Sequence, residues 1–453
     1  MKARDMAASS VIALGRHTVT GMIAASGRQF KDWSSSYRLF EKERVDRGAL
    51  FKPVMSEVCS LTDEAAPVFA MMDDTLLRKK GKKVCGTQWR RDPLGPAFHT
   101  NFAWGQRFLQ LSVALPDSDG SGRARAIPID FIHAPTPTKP KRTDPLEDWE
   151  AWRKEQEFAK VSAVGARRIE ALRDEIPDRK IVVAVDGGFT NSTVFRDIPE
   201  NTVFIGRIRK DARLYNPPET EEERRGRKRF YGIPLQTPEQ LRQDETIPWQ
   251  QVEAYAAGRR HGFDVKAIPS VRWRGTKDRD ALLVVIRPLA YRKSAGTRLL
   301  YRQPAYLLCT DEKLPLEQLL QAYLWRWEIE LNFRDEKTVL GVGEAQVRTP
   351  RAAESVPALI VASYSFLLLA AHKTGVQQGC VPQPKWRKTK ASDRLSTQQI
   401  IALFRCELWG LGMSSIKTYF ASLKASTRST FYSIKVSNAA ATSLKAAVCY
   451  AFK

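Results

Sequence analysis

Tyr323, Arg326, Glu330 and Lys337 recur at a spacing that could do chemistry, in the segment YLWRWEIELNFRDEK. If that segment is helical, about 100° per residue puts the four at roughly 0°, 300°, 340° and 320°, one stripe inside an arc of about 60°. Leu320, Leu324, Trp327 and Leu331 form the neighbouring apolar stripe, which is expected to pack while the polar row is presented. Glu328 and Asp335 point well away. A carboxylate ringed by a phenol, a guanidinium and an ammonium is poorly explained as a solvated face, where charges scatter. It suits a phosphodiester, with the carboxylate on a metal and the other three groups on phosphate oxygens.

Two further acids end apolar runs. Pro67 to Met72 runs into Asp73-Asp74-Thr75, and Ile181 to Val185 runs into Asp186-Gly187-Gly188. Both read as buried strands that deliver acids at their C-terminal ends, although a single Asp in such a place is as readily a solvated strand end. Between them lie Phe98 to Trp104, Phe108 to Leu115 and Ala126 to Ile132, a series that predicts antiparallel strands. A Pro/Lys-rich loop (134–145) and a charged helix over about 146–176 follow. Thr202 to Ile208, Ala281 to Ile286 and Ala305 to Cys309 read as further strands. Leu314 to Lys337 reads as one long helix and Ala352 to His372 as another. An acid-tipped strand, a strand meander, a helix and a second acid-tipped strand follow the order of a ribonuclease-H-like core. No internal repeat of fixed period is present.

The chain has 453 residues, with 73 Lys+Arg against 50 Asp+Glu, a net charge of +23. Such an excess is the footprint of a polyanion binder. It concentrates in two places: twelve basic residues against two acids over 381–453, and twenty-one against twelve over 206–300. Trp386 and Trp273 are interleaved with these charges. The six cysteines and five histidines are dispersed, so neither a Cys/His zinc site nor a disulfide framework is expected. No run reaches the roughly 18 apolar residues of a membrane span; the longest, Val361 to Ala371, is interrupted at Ser363, Tyr364 and Ser365. The opening residues lack a convincing apolar signal region, so a soluble cytoplasmic protein is expected.

The spacing Y-x2-R-x3-E-x6-K resembles the signature of bacterial insertion-sequence transposases with a DDE catalytic triad, the cut-and-paste, hairpin-forming group. MMDDTLLRKKGKK resembles their first catalytic strand, with Asp before Thr and a basic loop after it. VVAVDGGFTN resembles the strand that carries the second Asp. The resemblance covers about residues 60–375. It implies an α/β fold: a ribonuclease-H-like core, a mixed sheet with flanking helices, interrupted by a β-rich insertion, with helical N- and C-terminal parts. The implied organisation is 61–209 core, 210–300 basic insertion and 301–375 core with the Glu helix; by position and charge alone, 1–60 reads as a helical DNA-binding module or a simple helical lid, and 376–453 as a basic helical region for DNA or dimer contact.

The resemblance implies a triad of Asp74, Asp186 and Glu330, with Asp73 the substitute for Asp74. Asp74 is preferred because the family's ligand directly precedes Thr; Asp73 points to the opposite side of the strand, and strand-end geometry could favour it instead. Three hard oxygen ligands suit two Mg²⁺ ions, with Mn²⁺ as a substitute. Tyr323, Arg326 and Lys337 would anchor DNA phosphates. A Trp of the insertion can stack on a flipped base in such enzymes; Trp249 and Trp273 are the candidates, core packing being the readier role for each. The implied partners are double-stranded DNA, as transposon ends and as target, and a second copy of the chain in the active complex. Leu403, Phe404, Leu408 and Trp409 are the candidate dimer patch.

The charge yields a direct test. Affinity for duplex DNA should fall steeply between 50 and 200 mM salt, by about a thousandfold if some six phosphates are neutralised. Removal of residues beyond about 380 should weaken binding to all sequences alike. A salt-independent affinity in a filter-binding titration would overturn the polyanion reading.

Overall fold

The computed structural model describes residues 2–42, 44–92, 95, 98–117, 119–218, 229–292, 296–374 and 394–408. Trp386, Trp409 and most of the basic C-terminal tail lie outside them. In chain order, helices α1 (Lys2–Ile12), α2 (Val19–Ala25), α3 (Ser34–Glu41) and α4 (Arg47–Ser60) come first. Strands β1 (Val68–Arg78), β2 (Gln88–Arg91), β3 (Phe102–Pro116) and β4 (Ala124–His133) follow, then helices α5 (Leu146–Phe158) and α6 (Val161–Glu175). Next are β5 (Ile181–Val185), α7 (Ser192–Phe195) and β6 (Thr202–Arg207). The basic segment contributes β7 (Leu214–Tyr215), α8 (Pro238–Gln243), β8 (Gln250–Ala256), β9 (Arg259–Trp273), β10 (Asp280–Ile286), β11 (Ala290–Tyr291) and β12 (Leu300–Tyr301). Strand β13 (Ala305–Cys309) leads to helices α9 (Leu316–Trp325), α10 (Trp327–Thr338) and α11 (Pro350–Lys373).

These elements form two compact units, Met1–Leu50 with Arg334–Lys453, and Phe51–Phe333; the division falls inside α4 and inside α10. In the first unit α11 packs against α1 and α3. By length and composition α11 could cross a membrane, yet 78% of its most apolar window is buried within the protein. In the same unit the Asp335 carboxylate accepts a 2.6 Å bond from the Thr397 hydroxyl, which also meets the Tyr364 hydroxyl at 3.1 Å.

The second unit is built on one sheet, in the order β2-β3-β1-β5-β6-β13-β10-β9-β7, with β4 also on β3 and β8 on β9. β1 runs antiparallel to β3, β3 antiparallel to β4, and β1, β5 and β6 run parallel. Strand order β4-β3-β1-β5-β6 with helices on both faces is a ribonuclease-H-like core. β5 (IVVAV) is buried at every position, as a strand covered on both faces must be. Helix α6 comes close to one face through Gly165, where a Cβ would stand 2.7 Å from the Met72 sulfur. On the other face Ile329 and Phe333 of α10 pack with Met71, Ala114 and Ala126.

The segment 210–300 is β-rich as expected, and its strands extend the core sheet, since β13 pairs antiparallel with β6 and with β10, and β10 with β9. One expectation is corrected. The expected helix over 314–337 is two helices. At their junction the Arg326 amide bonds Tyr323 O (3.3 Å) and the Ile329 amide bonds Arg326 O (3.2 Å), three-residue spacings that tighten the turn. The tightened turn shifts the faces: Trp327, expected in the packed stripe, is 61% exposed. Trp325 packs instead, edge-on to Phe69 at 5.3 Å, with its indole N–H on Gly122 O at 2.9 Å.

Lys266 on β9 is 1% exposed. Its ammonium donates to Leu241 O, Arg242 O and Asp244 O at 3.1, 3.0 and 2.6 Å, filling the carbonyl end of α8 that a helix otherwise leaves open. Lys266→Met should orphan those carbonyls and cost about 1–3 kcal/mol, read as a lower melting temperature. An unchanged melting curve would show the carbonyls have other donors.

Candidate active site

β1 pairs with β5 in parallel, with Met72 opposite Val185. The next residue after each is an aspartate, so Asp73 and Asp186 are neighbours; Asp186 follows the end of β5, whereas Asp73, expected at a strand end, lies midway along β1, which runs on to Arg78. Asp186 is held by the turn that follows it. Its Oδ1 accepts from the Gly188 and Phe189 amides at 2.9 and 3.2 Å, and its carbonyl accepts from the Thr190 hydroxyl at 2.7 Å.

Side chains alternate along a strand, so Asp73 and Asp74 face opposite sides of the sheet. Asp73 faces the side covered by α9 and α10. Its Oδ2 takes a 3.2 Å bond from Arg326, and both side chains are close to fully buried, at 12% and 13% exposure. Asp74 faces the α6 side, where Arg107 Nε meets its Oδ2 at 3.1 Å. The expected preference is therefore reversed in position: Asp73 is the acid that stands with Asp186 and Glu330, and Asp74 is not.

The electrostatics report the same grouping. The Asp73 carboxyl is pushed up from its ordinary 3.8 to about 8, first by burial, then by the neighbouring Asp186 charge, with Glu330 adding to it. Arg326 and the Asp74 amide pull the other way and are outweighed. The Tyr323 hydroxyl is also raised, chiefly by burial, against the pull of Arg326 and Arg207. Asp186 adds to the rise, which sets this phenol beside the same acids.

Five expected residues are thus brought together: Asp73, Asp186, Glu330, Arg326 and Tyr323. Helix α9 that carries Tyr323 is tied to β8 through Gln321, which bonds the Tyr255 amide (2.8 Å) and carbonyl (3.2 Å). Lys337, the fourth residue of the row, lies near the end of α10, in the first unit. Arg207, at the end of β6, is an addition that sequence reading missed; its signal was the basic residue closing a third parallel apolar run.

Trp273 lines a cleft of about 770 Å³ together with Gly187, Thr190, Arg207, Lys210 and Tyr306. It also meets Phe195 edge-on at 5.9 Å and packs with the buried side of β9 and β10. Trp249 is held within the basic segment, its ring 4.5 Å from the Lys266 ammonium and 5.6 Å from the Arg287 guanidinium. Packing accounts for Trp249; Trp273 packs and also borders the cleft beside Asp186.

The donor set suits a hard divalent cation, because three carboxylates crowd one another and the charge on Asp73 is disfavoured until a cation offsets it. Among the described residues, however, no three His, Cys, Asp or Glu side chains are placed to hold one metal ion. Asp73 is turned to Arg326 instead.

The two adjacent aspartates can be told apart by stability. The unfolded chain ionises Asp73 near pH 4 while the folded one keeps its proton to about 8, so stability falls as pH rises through that window and then levels off. In chelator, Asp73→Asn should raise the melting temperature by an amount that widens between about pH 4 and 8. Asp74→Asn, which removes a partner of Arg107 on the other face, is the comparison. The reverse pattern would place Asp74, not Asp73, at the acid cluster.

A protein-family model described as DDE superfamily endonuclease matches residues 2–279, more than half of the chain. The matched segment includes Asp73, Asp74 and Asp186 and ends before Glu330. No curated protein matches the chain significantly. The family carries out nuclease- or transposase-type chemistry, with divalent metal ions and DNA as the substrate class. The α/β fold and the matched residues agree, and the chain belongs to the DDE superfamily endonuclease family.

Proposed function

We propose that the protein is a DNA transposase, which binds element ends, cuts them in a metal-dependent reaction through a hairpin, and joins the freed end to target DNA. The observation that carries this reading is the grouping of Asp73, Asp186 and Glu330 with Arg326 and Tyr323. Asp73, Asp186 and Glu330 would hold the metal, with Mg²⁺ the natural occupant and Mn²⁺ a substitute. A divalent ion held there would supply activation of a water or a 3′-hydroxyl and charge stabilisation for the leaving oxygen of an in-line displacement at phosphorus.

The chain's own residues do the rest. Arg326, Arg207 and Tyr323 offer charged and phenolic donors to the oxygens of the scissile phosphate, and Lys337 to a phosphate further along the strand. Arg326, hydrogen-bonded to Asp73, would hold a phosphate close to a metal carried by that carboxylate. The row of phosphate-gripping groups favours an enzyme that keeps its DNA ends after cutting, as strand transfer needs. Two ends cut together call for two protomers.

The test is incubation with Mg²⁺ and DNA from the flanks of its own gene, scoring nicks, hairpins and joined products. Glu330→Gln keeps size and removes the charge, so every step should fall together by about a thousandfold or more, roughly 4 kcal/mol of transition-state stabilisation. DNA binding should survive. Glu328→Gln, about 160° around the helix, is the control. Arg326→Ala should retain part of the nicking and lose hairpins. Mixed complexes of active and Glu330→Gln protein should be cut at one end only. Cutting without any joined product would reduce the protein to a nuclease, and normal cutting by Glu330→Gln would refute the site.

A further inference from the structure

Beyond the acids, the same face of the sheet carries a second set of chemistry-bearing side chains. β3 pairs with β2 as Trp104 opposite Trp89 and Phe102 opposite Arg91. Residues directly opposite in a sheet share a face, as do positions two apart on one strand, so these four form one surface. β3 also pairs with β1, with Gln110 opposite Asp73. Gln110, Gln106, Trp104 and Phe102 are all even steps along β3. The Trp89–Trp104–Phe102–Arg91 surface therefore lies on the Asp73 face, not the Asp74 face. At about 3.3 Å per residue, Trp104 is about 20 Å along the strand from the level of Asp73. That is the reach of about six stacked nucleotides at 3.4 Å each.

The surface is basic and open at Trp89 and Phe102, while Gln106 and Gln110, between it and Asp73, are fully buried. Trp89 and Phe102 are 66% and 62% exposed, and Trp89 meets Trp104 edge-on with ring centres 5.6 Å apart. Every charged residue from Thr75 to Arg91 is a lysine or an arginine. The loop between β1 and β2 is fastened over this face, Cys85 O accepting from the Gln106 amide at 2.7 Å and Gly81 O from the Trp104 indole at 3.3 Å. It carries exposed Lys82 and Lys83. Large exposed aromatics set mostly among cations are poorly suited to a solvated surface. They are well suited to a strand that offers both phosphates and unpaired base faces. Duplex DNA keeps its base faces stacked, which leaves aromatic rings nothing to cover.

We infer that Trp89, Trp104 and Phe102, with Arg91, Lys82 and Lys83, form a binding surface for an unpaired DNA strand leading to or from the acid cluster. The inference rests on the proposed DNA function, and it assigns to this surface the segment that strand separation near the cut releases. The bases stack on the rings and the phosphates follow the basic loop.

The experiment is fluorescence anisotropy of the full chain with a labelled 15-nucleotide oligo-dT and, separately, with a labelled duplex of equal length. Trp89→Ala and Phe102→Ala should each weaken oligo-dT binding about tenfold, with a much smaller change for duplex. Trp89→Phe, which keeps a stacking ring, should recover most of the affinity. Phe158→Ala removes a comparably exposed ring (64%) on α5 and should leave oligo-dT binding at the wild-type value. Melting curves for each variant check folding. Wild-type oligo-dT affinity in both alanine variants overturns the inference. So does dissociation of a wild-type dimer by Trp89→Ala with single-strand affinity intact, which would make the surface a contact between copies. Nicking of duplex by the wild type is scored separately: its absence would sink the functional proposal while leaving the single-strand result to stand or fall alone.

Discussion

Parallel pairing of β1 with β5 is the constraint on which the site depends. With Met72 level with Val185, the next residues, Asp73 and Asp186, are adjacent by construction and need no loop to aim them. A one-residue slip would turn Asp73 to the far face and bring Asp74 forward, because side chains alternate. The apolar run before each aspartate is what prevents the slip. Val182, Val183, Ala184 and Val185 are buried on both faces, so any other register would have to repack both layers of helices.

Crowding carboxylates has an energetic cost, and the surroundings show how it is contained. Asp73 sits where burial and two like charges disfavour ionisation, and Arg326 offers a partial counter-charge from the turn between α9 and α10. That turn lets the chain present a guanidinium and, one helical turn later, a carboxylate to the same acids. Glu330 also falls in the first turn of α10, where the exposed amides of a helix N-terminus favour negative charge. Tyr323 ends the row from the preceding helix. The constellation thus draws on the middle of β1, the end of β5 and two helices, each anchored by its own packing.

Much of this was legible in the residues. The apolar runs before Asp73 and Asp186 announced both strands, and the Y-x2-R-x3-E spacing brought three of the side chains onto the correct stretch. Three things were not legible, each for a physical reason. Which of two neighbouring aspartates faces inward depends on which face the helices cover, and that is settled by partners far away in sequence. The break at Arg326 has no Gly or Pro to mark it, because a tightened turn needs neither. The partner of β10 is chosen by β13 and β9 together, and the alternation of one strand does not say whether it extends an old sheet or starts a new one. Trp249 read as a possible binding residue because its burial beside Lys266 is a tertiary fact.

The continuation of the sheet through β13, β10 and β9 bears on how such a protein can be trimmed. A β-rich insertion that folded on its own could be excised as a cassette and the chain rejoined. Here β10 covers one side of β13, and β13 covers one side of β6. Excision of 210–300 would leave β13, apolar and buried along four of its five residues, with a row of unpaired amides and carbonyls facing water. Such an open strand is a template for self-association. A minimal soluble version of this enzyme would therefore have to keep β9 and β10, and shortening would have to be confined to the connections that lie off the sheet.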